Sequence, residues 1–245
     1  QHPAKLREFC LAFVEKAFPR PLSPEERTLY VDRQFEDVDD DYLAVKRIIL
    51  LTLKSPRFLF PGASSREFDQ FRTAEWLALA WWDSLPDAKL WQAAAEGKLS
   101  QRAELMAQAE RMLRDDRSRA KLSGFFHQWL NLDHYYDLSK ADSLYPEYTP
   151  ELLSDMKSSL EIMIDHVVWS VSSDYRQLLL STEYPMNWRI DQFFENSSPP
   201  GHGFTTVSFP QDQRAGILTH PFLLTGLAYD DASSPIHRGV FLSRS

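Results

Sequence analysis

Apolar residues recur at three-and-four spacing through the first 195 residues of this chain, and that period leaves helices as its main architectural option. Leu6, Phe9, Cys10, Phe13, Val14 and Ala17 form the stripe of one amphipathic helix, which Pro19 and Pro21 stop. Ser23-Pro24-Glu25-Glu26 reads as a new start: Ser23 caps, Pro24 takes the first turn and Glu26 completes a capping box. A third helix carries Leu43, Ile48 and Leu51 and ends before Pro56. These helices make an N-terminal module over residues 1–62, closed by Pro61-Gly62.

A larger helical module is expected over residues 63–196, its pattern running from about Glu67. Trp76, Leu77, Leu79, Ala80 and Trp82 are apolar nearly all round, which predicts burial on more than one side. Leu85-Pro86-Asp87 breaks that helix, and Leu90, Trp91 and Ala94 begin a short one ending at Gly97. Ser100 is placed to cap the next, whose face includes Ala103, Met106, Met112 and Leu113. A turn at Asp115-Asp116 separates it from Leu122, Phe125, Phe126, Trp129 and Leu130. The longest helix follows Pro150, with Leu153, Met156, Leu160, Met163, Ile164, Val167, Val168 and Val171 along one side. Asp174 and Asn187 are the expected caps of two shorter helices.

Near residue 197 the composition changes: five of the 8 glycines lie beyond residue 200, starting in Ser197-Ser198-Pro199-Pro200-Gly201-His202-Gly203. Thr205, Val207 and Phe209 alternate as one strand of a small β-hairpin would. The expected fold class is therefore all-α: a multi-helix bundle in two packed modules, followed over 197–245 by an irregular segment that reads as the truncated start of a further module. Beginning at Gln1 and ending at Ser245 in mid-pattern, the sequence reads as a fragment.

Composition excludes several classes. Of 245 residues, 43% are hydrophobic and 25% charged, which rules out wholesale disorder. A net charge of −8, from 27 basic and 35 acidic residues, argues against a nucleic-acid surface, which needs a basic face. No apolar run approaches the roughly 18 residues of a membrane span; Ile48-Ile49-Leu50-Leu51 is cut by Thr52 and closed by Lys54. The pattern of a signal peptide is missing. A lone cysteine, Cys10, excludes an internal disulfide, a four-cysteine zinc site and a C-x-x-C-H haem attachment within these residues, and its place on an apolar stripe suits a core thiol.

Catalytic motifs are scarce. There is no G-x-S-x-G elbow, phosphate-cradling glycine loop or H-E-x-x-H pair, and no metal site is expected. His127 and His134 stand seven apart without a third ligand, and His166 sits alone in the long helix. Asp37, Asp39 and Asp41 resemble the start of a calcium loop, but Tyr42 replaces its turn glycine and Ile48 its bidentate glutamate. Carboxylates at the N-terminus of the third helix explain them better. Trp81, Tyr135 and Tyr136 can stack on sugar rings or fill a core; with Ser234 they are the substrate-binding candidates.

The most distinctive stretch runs from Arg214-Ala215-Gly216-Ile217-Leu218-Thr219-His220-Pro221 to Ser233-Ser234-Pro235-Ile236-His237-Arg238-Gly239-Val240-Phe241-Leu242. Arg214 and Arg238 can clamp a carboxylate or a propionate, and a neutral His220 or His237 can ligate a metal or haem iron. These four are the cofactor-binding candidates. The plainer role is to tie loop carbonyls together.

The same stretch resembles the signature of large planctomycete-type multidomain proteins of unknown function, which often also carry c-type cytochrome domains. Ala17-Phe18-Pro19-Arg20-Pro21-Leu22-Ser23 and Ser55-Pro56-Arg57-Phe58-Leu59-Phe60 resemble that family's N-terminal helical module. Ser84-Leu85-Pro86-Asp87, Arg111-Met112-Leu113 and Gln128-Trp129-Leu130 resemble its central module, and Ser233-to-Gly239 the start of a third. The resemblance implies an extracytoplasmic, periplasmic or cell-surface, redox-associated scaffold that accompanies a haem-bearing domain or another polypeptide. Any covalent haem c then belongs to a missing segment or a partner chain, since no attachment motif is present. The alternative is a non-catalytic module that binds polysaccharide or protein.

Overall fold

A computed structural model describes residues 2–18, 20–38, 40–60, 69–135, 138–194 and 199–244. Expectations resting on Pro19, Asp39, Pro61-Gly62, Glu67, Tyr136 and Ser197-Ser198 lie outside the described residues. The described chain is all-α apart from a two-stranded antiparallel sheet. Two compact units divide it, Gln1–Leu122 and Ser123–Ser245.

In the first unit, α1 (His2–Ala17) and α2 (Asp41–Leu53) flank three consecutive helical turns, Pro24–Arg27, Thr28–Asp32 and Arg33–Glu36. Cys10, Val14, Ala17 and Phe18 of the first stripe pack with Val31, Phe35, Ala44 and Ile48, while Phe9 faces solvent. Burial raises the pKa of Cys10, as suits a core thiol. The capping box forms: Ser23 Oγ accepts from the Glu26 amide at 3.3 Å and Glu26 Oε2 from the Ser23 amide at 3.0 Å. Asp40 caps α2 by accepting from the Tyr42 amide at 2.9 Å.

A second cluster of the same unit joins α3 (Gln70–Trp82), α4 (Ala88–Ala95) and α5 (Arg102–Leu113). The cluster departs from the sequence pattern in two places. Although α3 is apolar nearly all round, it buries one stripe, Ala74, Ala78 and Trp82, and leaves Trp76 57% exposed. Two alanines and one Trp at four-residue spacing let α4 approach closely on that side. Nor does Ser100 cap α5. It belongs to a 3₁₀ turn, Lys98–Ser100, entered through Gly97 at φ +69°, and its hydroxyl donates to the Gly97 carbonyl at 2.9 Å. Gln101 takes the cap position without a side-chain bond.

Asp87 links two helices of this cluster. It accepts from the Leu90 amide at 2.9 Å, capping α4, and takes a two-pronged contact from Arg111 at 2.7 and 3.1 Å. Desolvation would raise its pKa, but the Arg111 fork and the amide outweigh it and the pKa is lowered. Asp87→Ala should therefore cost about 2 kcal/mol, a lost cap plus part of a half-exposed ion pair. Urea midpoints of the two proteins test this; equal midpoints would show that neither bond contributes.

Helix α6 (Asp116–Trp129) begins in the first unit and ends in the second, to which its last turns supply Phe126, and α7 (Pro150–Val168) of the second unit is the longest helix among the described residues. Thr149 caps α7 at the Leu152 amide, and Leu152, Leu153, Met156, Ser159, Leu160, Met163 and Ile164 are its buried side. The stripe stops short of the expected Val171, which lies beyond the helix in full exposure. Serines end it: Ser170 and Ser173 hydroxyls donate back to the Val167 and Val168 carbonyls at 2.9 and 2.7 Å, with Ser173 at φ +43°.

The strand expected near Thr205–Phe209 forms as β2 (Thr205–Ser208), paired with β1 (Glu183–Met186) through Glu183↔Ser208 and Met186↔Thr205. Its partner is thus not a neighbouring strand, because α8 (Trp188–Phe193) lies between the two in sequence. Asn187 caps α8 through the Ile190 amide at 3.1 Å, as expected. Asp174 instead accepts from the Arg176 amide, and Arg176 holds the cap position of the short helix Gln177–Leu180. Two further helices complete the unit, α9 (Pro221–Gly226) and α10 (Pro235–Arg244).

Candidate functional site

The distinctive C-terminal stretch builds a junction on α7 and β1. Gly216 enters it at φ +64°, ψ −177°, a conformation kept for glycine, and its amide donates to the Ser181 carbonyl at 2.8 Å. Tyr184 of β1, fully buried, donates its hydroxyl to the Gly216 carbonyl at 2.9 Å and meets Thr219 Oγ1 at 3.0 Å. Thr219 Oγ1 also accepts from the Ala215 amide at 2.9 Å.

His220 sits at the centre of this junction with 0% exposure. Its Nδ1 accepts from the Phe222 amide at 3.2 Å, capping α9, which puts the ring proton on Nε2, 3.1 Å from Ser159 Oγ. Ser159 in turn donates to the Pro185 carbonyl. Burial, and secondarily the Arg214 charge, push the imidazole pKa down to about 3, so the ring is neutral at physiological pH. Both nitrogens are engaged, and His220 has no lone pair left for haem iron. The tail histidine His237 is exposed against the Tyr229 ring, centroids 4.9 Å apart. Ser234, buried, accepts from the His237 amide at 3.2 Å and so anchors the start of α10. Arg238 is half-buried, and its Nε has no hydrogen-bond partner among the described residues.

Arg214 faces a cavity. The space measures about 240 Å³ and is walled by Tyr145, Tyr148, Phe193, Phe194, Leu224 and Tyr229, with Lys140, Arg214 and Ser233 among its polar residues. The guanidinium lies over the Phe194 ring, 4.6 Å from its centroid, and 5.4 Å from that of Phe209. Nη1 donates to the Thr219 carbonyl at 2.9 Å, and no carboxylate of the described residues pairs with the group. Half-burial lowers its pKa, an effect that the nearby Tyr184 only partly offsets. Lys140, by contrast, is committed: its ammonium donates to the Thr225, Ala228 and Tyr229 carbonyls at 3.1, 3.4 and 2.8 Å. It closes the end of α9.

Tyr148 gives the wall a second unusual group. Its hydroxyl is buried with no hydrogen-bond partner among the described residues, and desolvation pushes its pKa up to about 12. A buried hydroxyl left unpaired costs stability. Tyr148→Phe should hence raise the melting temperature of the unliganded protein, by the equivalent of about 1 kcal/mol. A lower melting temperature would mean that the hydroxyl is bonded after all. A second, larger cavity of about 650 Å³ shares the Tyr145, Phe193 and Phe194 wall and adds Glu147, Trp188, Arg189 and Gln192.

The remaining candidates fall elsewhere. Tyr135 is buried, 5% exposed, edge-on to Phe222 and pressed against Gly226, where an added Cβ would stand 2.8 Å from its ring. It has no face for a sugar. Trp81 packs partly buried against the Ala74–Met112 cluster of the first unit, and Tyr136 lies outside the described residues. His127 bridges Asp133 at 3.2 Å and Glu161 at 3.0 Å. No group of three metal-ligating side chains comes together among the described residues. Sequence reading missed Lys140, Tyr145, Tyr148, Phe193, Phe194 and Tyr229; the Phe193-Phe194 pair at a helix end was the one local hint.

A sequence profile of the family described as "Protein of unknown function (DUF1592)" matches residues 68–195, rather more than half of the chain. No curated protein and no solved structure is significantly similar to it.

Proposed function

Because the chain belongs to the DUF1592 family, we propose that it is the framework part of an extracytoplasmic redox-associated protein that accompanies a c-type haem domain or polypeptide. The carrying observation is the inward use of the signature. His220, Thr219 and Ser234 spend their hydrogen bonds on the chain's own backbone and on Ser159: His220 fastens α9 to α7, and Ser234 holds the start of α10. Hydrogen bonds of this kind hold neighbouring elements in place. No helix of the described residues is long and apolar enough to cross a membrane. The resemblance to planctomycete-type, cytochrome-associated proteins supplies the redox setting and the location.

Native purification tests this reading. The protein should be recovered in a complex, or as a longer chain, that holds covalent haem c in stoichiometric amount by its visible spectrum and by mass spectrometry. Recovery without haem, or from the cytoplasm, would overturn it. A second reading, a module that holds polysaccharide or protein, is favoured by one observation. Phe125 and Trp129 of α6 stack with centroids 6.0 Å apart and are both exposed.

A further inference from the structure

We propose that the Arg214 cavity binds a small aromatic monocarboxylate. Two features converge on that class, and neither depends on a haem partner.

The first is charge. A half-buried guanidinium is costly unless an anion meets it, and the cavity's described walls hold no Asp or Glu. One of its five N–H groups is used, on Thr219, which leaves a fork suited to a planar carboxylate. The Lys140 charge is spent on three carbonyls and faces the Asp230 carboxylate, so a single cation remains to be answered. That count favours a monoanion over phosphate.

The second is shape. Phe193 and Phe194 meet edge to face at 5.4 Å, Tyr148 meets Phe193 the same way at 6.4 Å, and Tyr229 and Leu224 complete an apolar slot. At about 240 Å³ the space lies below the roughly 300–1,000 Å³ of sites for drug-sized ligands. It suits one ring with a short acid arm, and it is too small to enclose a tetrapyrrole.

Calorimetric titration with 3-phenylpropionate tests the assignment, with 3-phenylpropanamide, hexanoate and inorganic phosphate as comparisons. The acid should bind the wild-type protein roughly tenfold or more tightly than the amide, since one charged contact is lost. Hexanoate and phosphate should both be weaker than the aromatic acid. Arg214→Met should abolish that preference for the acid. Should Arg214→Met not fold, the acid-to-amide ratio of the wild-type protein decides alone. Absence of saturable binding, equal affinity for acid and amide, or tighter binding of phosphate or hexanoate would overturn the proposal. A haem-free native preparation would leave these results untouched, so the two readings fail separately.

Discussion

Gly216→Ala is expected to destabilise the second unit by about 3 kcal/mol or more, the largest effect of any single methyl added to the described chain. Two costs combine. At φ +64° and ψ −177° the backbone occupies a region that L-residues avoid. The new Cβ would also stand 2.5 Å from the backbone of Leu179, which cannot swing aside as a side chain can. Moving Gly216 would break its bond to Ser181 and shift the carbonyl that holds the buried Tyr184 hydroxyl. Gly203→Ala is the control, because nothing lies within 4 Å of the point its methyl would occupy. Urea midpoints should fall sharply for Gly216→Ala and barely for Gly203→Ala. Matching midpoints would mean that the loop relaxes without loss.

Acid should undo the same junction through His220. Its folded pKa of about 3 lies well below the ordinary 6.5 of an unfolded histidine. Above pH 6.5 both states are neutral there, and the stabilising difference is fully present. Between pH 6.5 and about 3 the unfolded chain binds a proton that the folded chain refuses. Stability therefore falls with pH through that window, by up to about 1.4 kcal/mol per pH unit, and levels off below the folded pKa. His220→Asn keeps a side-chain acceptor for the Phe222 amide but removes the titration. It should lower stability at pH 8, where the packing and the Ser159 contact are lost, yet flatten the decline between pH 6.5 and 4. Wild type and variant declining in parallel over that range would show that His220 is not the acid-sensitive group.

Most helices were legible in the primary structure because their signals are local. Ser23, Pro24 and Glu26 close a capping box within four residues, and the α7 stripe from Leu153 to Ile164 repeats along a single element. Errors arose where a neighbour decided. Trp76 looks like a core residue, but α3 buries the Ala74, Ala78 and Trp82 stripe, with Phe71, Leu77 and Trp81 partly buried beside it, and leaves Trp76 outside. Ser100 looks like a cap, but the left-handed Gly97 starts a tighter turn that claims it.

The candidate site shows the same division. Amino-acid order alone determined that the Arg214-to-Leu242 stretch would concentrate arginine, histidine and glycine between proline and glycine breaks, but its irregular look hid the helices Pro221–Gly226 and Pro235–Arg244. It could not say which of those groups would turn inward, since that depends on contacts between residues tens of positions apart. Ser159 of α7 reaches His220 and is itself held by the Pro185 carbonyl of β1, and Tyr145, Tyr148 and Phe193 reach the Arg214 cavity from elements with no shared motif. Helix periods and caps are settled within a few residues and need no fold to be recognised. Burial, a suppressed protonation and an unanswered guanidinium arise only when the folded chain removes water from those groups, and the tertiary structure alone decided them.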